Sequence, residues 1–336
     1  MIILGSISVV LLYLLVDINF GVWPALISGV IYAISPLTVI SSRMIQAENG
    51  FIPLFLLAII FYSLYKNRNK FIFYVFSCIV SGVAILFKLS ALSITLSIFL
   101  LTIYDFCLNK NKSVFIKKII LLFTVTFCFL SVFVIWGWFY DWDQFINIFM
   151  SNSVRPYELG LNLLINLFSQ SKITGKNTLF DPFYYWGWVA IVYLWRDFKK
   201  YRIVLVPVVS YMIVYIFFGS QPYGWHSYPF FPFLMTMFSL FLIKIKSNLL
   251  IFVCAISIFG FYLSKLLSYS DFLNISFYWR TGLVLVATIM FMIDLIKKNK
   301  FMLYGKILNW LVLFAGLFLA IKYQNLFTID YWYKVF

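Results

Sequence analysis

About twelve apolar runs recur along the chain, separated by short polar breaks. Each is roughly 15 to 22 residues long, enough for a helix to cross a hydrocarbon core of about 30 Å. They fall near 2–16, 22–40, 51–65, 71–87, 90–107, 116–139, 182–195, 203–218, 228–243, 249–266, 281–296 and 307–323. The adjoining pair 71–87 and 90–107 reads as two helices. A single helix over both would be roughly 55 Å long, far more than the core. Both flanks of the pair are also basic, so both belong on one side. A tight turn at Lys88-Leu89-Ser90 satisfies length and charge together. Composition agrees with a bilayer as solvent: 64% of residues are hydrophobic and 11% charged, with a mean hydropathy of +0.98. A soluble domain of this length cannot hide that much apolar surface. The expected fold is an all-α polytopic membrane protein, a single transmembrane domain over 1–336 with about twelve spans.

Charge orients the spans. Lysine and arginine number 26 against 11 acids, a balance that in a soluble chain would point to nucleic acid. Here the basic residues sit in short clusters between apolar runs, as membrane topology requires. The clusters are Lys66/Arg68/Lys70, Lys110/Lys112/Lys117/Lys118, Arg196/Lys199/Lys200/Arg202, Lys244/Lys246 and Lys297/Lys298/Lys300/Lys306. All fall on one face, taken as cytoplasmic. Glu48, Asp141, Asp143, Glu158, Asp181, Asp271 and Asp330 fall on the other. Residues 41–50, 140–181, 219–227 and 267–280 are then extracytoplasmic. The first helix must enter from outside, which predicts an upstream helix and extracytoplasmic segment before Met1. Cys78, Cys107, Cys128 and Cys254 show no metal-ligand spacing and read as small core residues. The wealth of Phe, Ile, Tyr, Lys and Asn suggests an AT-rich prokaryotic genome, so the membrane expected is a prokaryotic cell membrane.

Ionisable residues near a bilayer are costly, so those away from the cytoplasmic face suggest function. They gather in four places. In SPLTVISSRMIQAENGFIPLFLL (35–57), Pro36 bends a helix end, and Arg43 and Glu48 flank a short loop. Glu48 at the lip of a dry cavity can accept a proton or hold a metal; otherwise the two residues are an ion pair closing the loop. In GVAILFKLSALSI (82–94), Lys88 has no acid within ten positions. It suits an anionic ligand such as a lipid phosphate, or else snorkels to the interface. The segment 140–181 is too long for a simple connection. It carries Arg155, a candidate for anion contact, and Glu158, and its stretch 159–168 suits an interfacial amphipathic helix. Asp181 before Pro182 reads as a helix cap more than a catalyst. In GSQPYGWHSYPFFPFL (219–234), His226 and Tyr228 precede a helix start stiffened by two prolines. They suit a sugar or phosphate, or else form an aromatic belt.

Taken in order, SPLTVISSRMIQAEN, GVAILFKLSAL, DPFYYWGWVAIVYL and WHSYPFFPFL resemble the polyprenyl-phosphate-dependent GT-C glycosyltransferases. The likeness is to the branch of the protein O-mannosyltransferases and bacterial aminoarabinose transferases, and it runs over nearly the whole chain. It implies about thirteen helices, one more than the runs give, and a first loop with an acidic catalytic residue upstream of Met1. It also implies that Glu48 shapes the acceptor or metal site and that Lys88 faces the lipid-linked phosphate. His226 and Tyr228 would stand near the donor head group, with Arg43 a weaker counterpart. Without the first-loop acid, Glu48 or an acid of the long loop would substitute. The partners implied are a polyprenyl-phosphate-linked sugar donor, an extracytoplasmic acceptor and the lipid bilayer. No cofactor is demanded by the sequence, and a divalent metal stays open. The alternatives are a transporter or lipid-linked sugar flippase, and an inactive truncated paralogue.

Overall fold

The computed structural model describes residues 2–43, 46–153, 181–217, 224–245, 248–269 and 299–335. These residues form helices and no strand. The order is α1 (Ile2–Phe20), α2 (Val22–Ile34), α3 (Pro36–Arg43), α4 (Ala47–Arg68), α5 (Phe71–Phe87) and α6 (Leu92–Asn109). There follow α7 (Lys112–Ser153), α8 (Pro182–Leu194), α9 (Phe198–Phe217), α10 (Phe231–Lys244), α11 (Asn248–Tyr269) and α12 (Asn299–Val335). Short 3-10 turns cover Leu89–Ala91, Trp195–Asp197 and Gly224–Phe230. Among the described residues, 7 helices are long and apolar enough to cross a membrane, or 8 counting the bent pair α2–α3. Two shorter apolar helices, Phe71–Phe87 and Leu250–Leu266, add to them. The chain is therefore a multi-pass membrane protein. The expected span 281–296 lies outside the described residues.

Helices α4 and α5 form an antiparallel hairpin closed at Asn69, whose left-handed backbone (φ 51°) ends α4. Helix α1 packs on α2 and α4, α10 on α8 and α2, α9 on α6, α5 on α7, and α11 on α12. Helix α10 is apolar on every side and buried almost throughout, as a helix without a polar face must be. Small hydroxyls sit where helices approach. Ser28 Oγ lies 2.6 Å from Ser239 Oγ between α2 and α10, and Ser81 Oγ 2.8 Å from Thr95 Oγ1 between α5 and α6. Without a hydrophobic drive between helices in lipid, such contacts and close packing supply the association. Of the cysteines read as core residues, Cys78 and Cys254 are buried, whereas Cys107 and Cys128 are exposed. Lipid is as apolar as the core, so hydropathy does not distinguish the two positions.

Two departures from the expected layout matter. The run 22–40 is broken at Ser35, and α3 turns 60° away from α2. Pro36 lacks an N–H and clashes with a continuing helix, which forces the break. The segment expected to be loop from 140 onward stays helical to Ser153. Asp141 is extended (φ −170°, ψ 104°), and its carboxylate accepts from Gln144 N at 2.9 Å. It thus caps a second helical stretch. Phe145 returns onto Phe133, 5.4 Å between ring centres, in the space a side chain at Gly137 would fill. Trp136, Trp138, Phe139 and Tyr140 are exposed here, as an interfacial aromatic band would be. Stretch 159–168 lies outside the described residues.

The basic end is tied by polar contacts among the helices. Lys66 Nζ lies 2.9 Å from Asp105 Oδ1, and Tyr62 OH donates to Asp105 Oδ2 at 2.7 Å. The Lys118 ammonium sits 4.4 Å from the centre of the Tyr65 ring. Lys244 pairs with Asp197 at the same kind of helix end.

Candidate active site

The hairpin decides the site. Helix α4 has 22 residues and α5 has 17, and the first turn of α4 meets the last turn of α5 at Gly50 and Phe87. That meeting point is about 30 Å from the basic turn that joins them. Glu48 lies in the first turn of α4 and Lys88 follows the last residue of α5. A carboxylate at a helix N-terminus and an ammonium at a C-terminus are each favoured by the helix dipole. Gly50 lets the two turns meet: a Cβ there would stand 2.5 Å from Phe87 Cδ1. Lys88 Nζ binds Glu48 Oε1 directly. No acid lies within ten positions of Lys88 along the chain; its acidic partner comes from 40 residues away.

The Gly224–Phe230 turn brings His226 to the same place. Its Nδ1 lies 3.3 Å from Glu48 Oε1 and 3.4 Å from Lys88 Nζ. With a proton on Nδ1 the ring donates to the carboxylate; without it, Nδ1 accepts from the ammonium. Tyr211 OH donates to the His226 carbonyl at 2.8 Å and fixes the turn against α9. Glu48 is 1% exposed, Lys88 29% and His226 21%. Oε1 of Glu48 is therefore satisfied, while Oε2 is buried with no hydrogen-bond partner among the described residues. A buried carboxylate oxygen without a donor costs free energy unless another group binds it.

Three of the four sequence segments thus meet at one end of the bundle. Arg43 is exposed in the last turn of α3. Tyr228 is buried and packs on Phe231 at 5.4 Å between ring centres. Asp181 caps α8 through Phe183 N at 2.9 Å, as its place before Pro182 suggested. Burial pushes its carboxyl above the usual range, against four donated hydrogen bonds. Arg155 and Glu158 lie outside the described residues. Among the described residues, no three His, Cys, Asp or Glu side chains group closely enough to hold a metal ion. Sequence reasoning passed over Tyr211, Asn49 and Ser35. The only signal was a phenol, an amide or a hydroxyl beside an otherwise apolar run.

Residues 1–138 match the family model described as dolichyl-phosphate-mannose-protein mannosyltransferase. The fold is similar to that of ArnT. Against ArnT from Cupriavidus metallidurans bound to undecaprenyl phosphate, the TM-score is 0.57 at 14% identity, covering 97% of this chain and 61% of that one. Against the apo form it is 0.60 at 14% identity, covering 98% and 60%. The chain thus spans about three fifths of the ArnT length. No curated protein matches it in a sequence search.

Proposed function

We propose that the chain is a membrane glycosyltransferase. It moves a sugar from a polyprenyl-phosphate donor to an acceptor hydroxyl or amine on the extracytoplasmic side of a prokaryotic cell membrane. The observation that carries this is the meeting of Glu48, Lys88 and His226 at the end opposite the basic clusters, with Glu48 Oε2 left open. The match of residues 1–138 and the likeness to a fold seen with undecaprenyl phosphate support the donor class.

In this mechanism Lys88 and His226 face the phosphate. The acceptor oxygen or nitrogen attacks the anomeric carbon, and its proton passes to Glu48 Oε2. The bond from the anomeric carbon to the phosphate oxygen breaks, and polyprenyl phosphate leaves with the electron pair. Lys88 stabilises the charge that develops on it. One in-line displacement inverts the anomeric carbon. Before donor binding, Lys88 is held by Glu48. An arriving phosphate competes for the ammonium, so Glu48 becomes a stronger proton acceptor once the donor is seated.

Transfer from undecaprenyl-phosphate-linked sugars by the purified chain in nanodiscs tests the reading. Glu48→Gln is expected to lose transfer while still binding undecaprenyl phosphate. No transfer from any lipid-linked sugar, or full activity in Glu48→Gln, would overturn it. A flippase reading draws on the break between α2 and α3, since broken helices mark many transporters. Lipid flux in proteoliposomes without any sugar acceptor would favour that reading.

A further inference from the structure

The break at Ser35 leaves a helix start in need of partners. Pro36 has no N–H, so Leu37 carries the first donor of α3. Asp181 Oδ2 accepts from Leu37 N at 3.3 Å and from Ser35 Oγ at 2.5 Å. Its Oδ1 accepts from Phe183 N at 2.9 Å and from Tyr262 OH at 3.0 Å. One carboxylate, 0% exposed, therefore serves the starts of α3 and α8 and anchors both to α11. A cap for α8 alone needs only the bond to Phe183. The remaining three donors come from residues 146, 144 and 81 positions away. At the far end of α3, the Ser41 carbonyl accepts from Asn49 Nδ2 at 2.7 Å. Asn49 adjoins Glu48 in the first turn of α4.

We propose that Asp181 is a positioning residue for the Glu48–Lys88 centre. It fixes the angle of α3, and α3 fixes the first turn of α4 through Asn49. The proposal rests on the reading that Lys88 meets the donor phosphate. Asp181→Asn keeps size but swaps one acceptor oxygen for a donor, so one of the four bonds must fail. Ser35→Ala removes one of the two bonds on the α3 side, leaves those to α8 and α11, and serves if Asp181→Asn does not fold.

Affinity for undecaprenyl phosphate is measured on purified chain in nanodiscs, beside the unfolding temperature. Hydrogen exchange is followed at 36–43 and 47–50. Both variants are expected to weaken binding about fivefold to tenfold and to raise exchange in both segments. Asn49→Ala cuts the same route, so combined with either variant it should add less than about twofold, because coupled positions are not additive. Unchanged affinity with unchanged exchange would overturn the proposal. So would losses that multiply fully with Asn49→Ala, or that track the unfolding temperature across unrelated core variants. If the unmodified chain does not bind undecaprenyl phosphate, the donor reading falls, and exchange at 47–50 still decides whether Asp181 holds that turn.

Discussion

Lys88→Met tests the electrostatics of the site most directly. The substitution keeps most of the side-chain volume and removes the cation beside Glu48. Glu48 is 1% exposed, so its charge cannot recover full hydration. Breaking a buried ion pair by removing one partner costs about 3–5 kcal/mol. Two features reduce that here. Lys88 is itself 29% exposed, and His226 Nδ1 still lies 3.3 Å from Oε1. A ceiling also applies, since the carboxyl can take up a proton instead. For an ordinary glutamic acid that costs about 4 kcal/mol at pH 7 and about 1 kcal/mol at pH 5. The expected loss is about 2–3 kcal/mol at pH 7, shrinking to about 1 kcal/mol at pH 5. The sign follows from proton uptake on folding in the variant: stability lost at neutral pH returns as pH falls. Unfolding of purified chain in mixed micelles measures it. Glu48→Gln in the same chain removes the uncompensated charge and should restore at least half of the loss. If Lys88→Met is as stable as the parent at pH 7, or if Glu48→Gln gives no relief, the pair is not held in a dry site and the reasoning fails.

Gly50→Ala should cost about 1–3 kcal/mol in the same assay, because the added methyl meets the Phe87 ring. A loss no larger than for Gly→Ala at Gly29, where an added methyl would meet only Tyr13 Cβ at an ordinary 3.8 Å, would show that the two turns do not touch. Tyr62→Phe leaves Asp105 Oδ2 without its donor and should cost about 1–2 kcal/mol. A neutral result there would mean that the Lys66 contact alone satisfies the carboxylate. Cysteine labelling at positions 43 and 86 should need only an outside reagent, while positions 68 and 110 should need a permeant one. Labelling of both sets from one side would refute the orientation.

Much of the framework is local, and so it could be read from order along the chain. Run length places most of the described helices near their observed bounds, with 71–87 matching α5 at both ends, whereas α7 and α12 extend well beyond the runs 116–139 and 307–323. The turn at Lys88-Leu89-Ser90 follows from length and charge alone. Asp181 followed by proline marks a capped helix start, and Pro36 marks the break that α3 opens. The continuation of α7 past Asp141 was missed, because aromatic and polar residues at an interface look alike whether helical or looped.

Sequence alone determined that the chain lives in a bilayer, which ends of its helices share a face, and which few polar residues crowd the face opposite the lysines. Tertiary structure decided who pairs with whom. Glu48 and Lys88 meet because two helices fold back on each other, and Asp181 gathers donors from two distant segments. Hydropathy is summed over neighbours along the chain, so it reads depth in the membrane. A salt bridge or a shared cap depends on azimuth around a helix and on the packing of non-adjacent helices. In a chain apolar on nearly every face, that azimuth leaves no periodic trace.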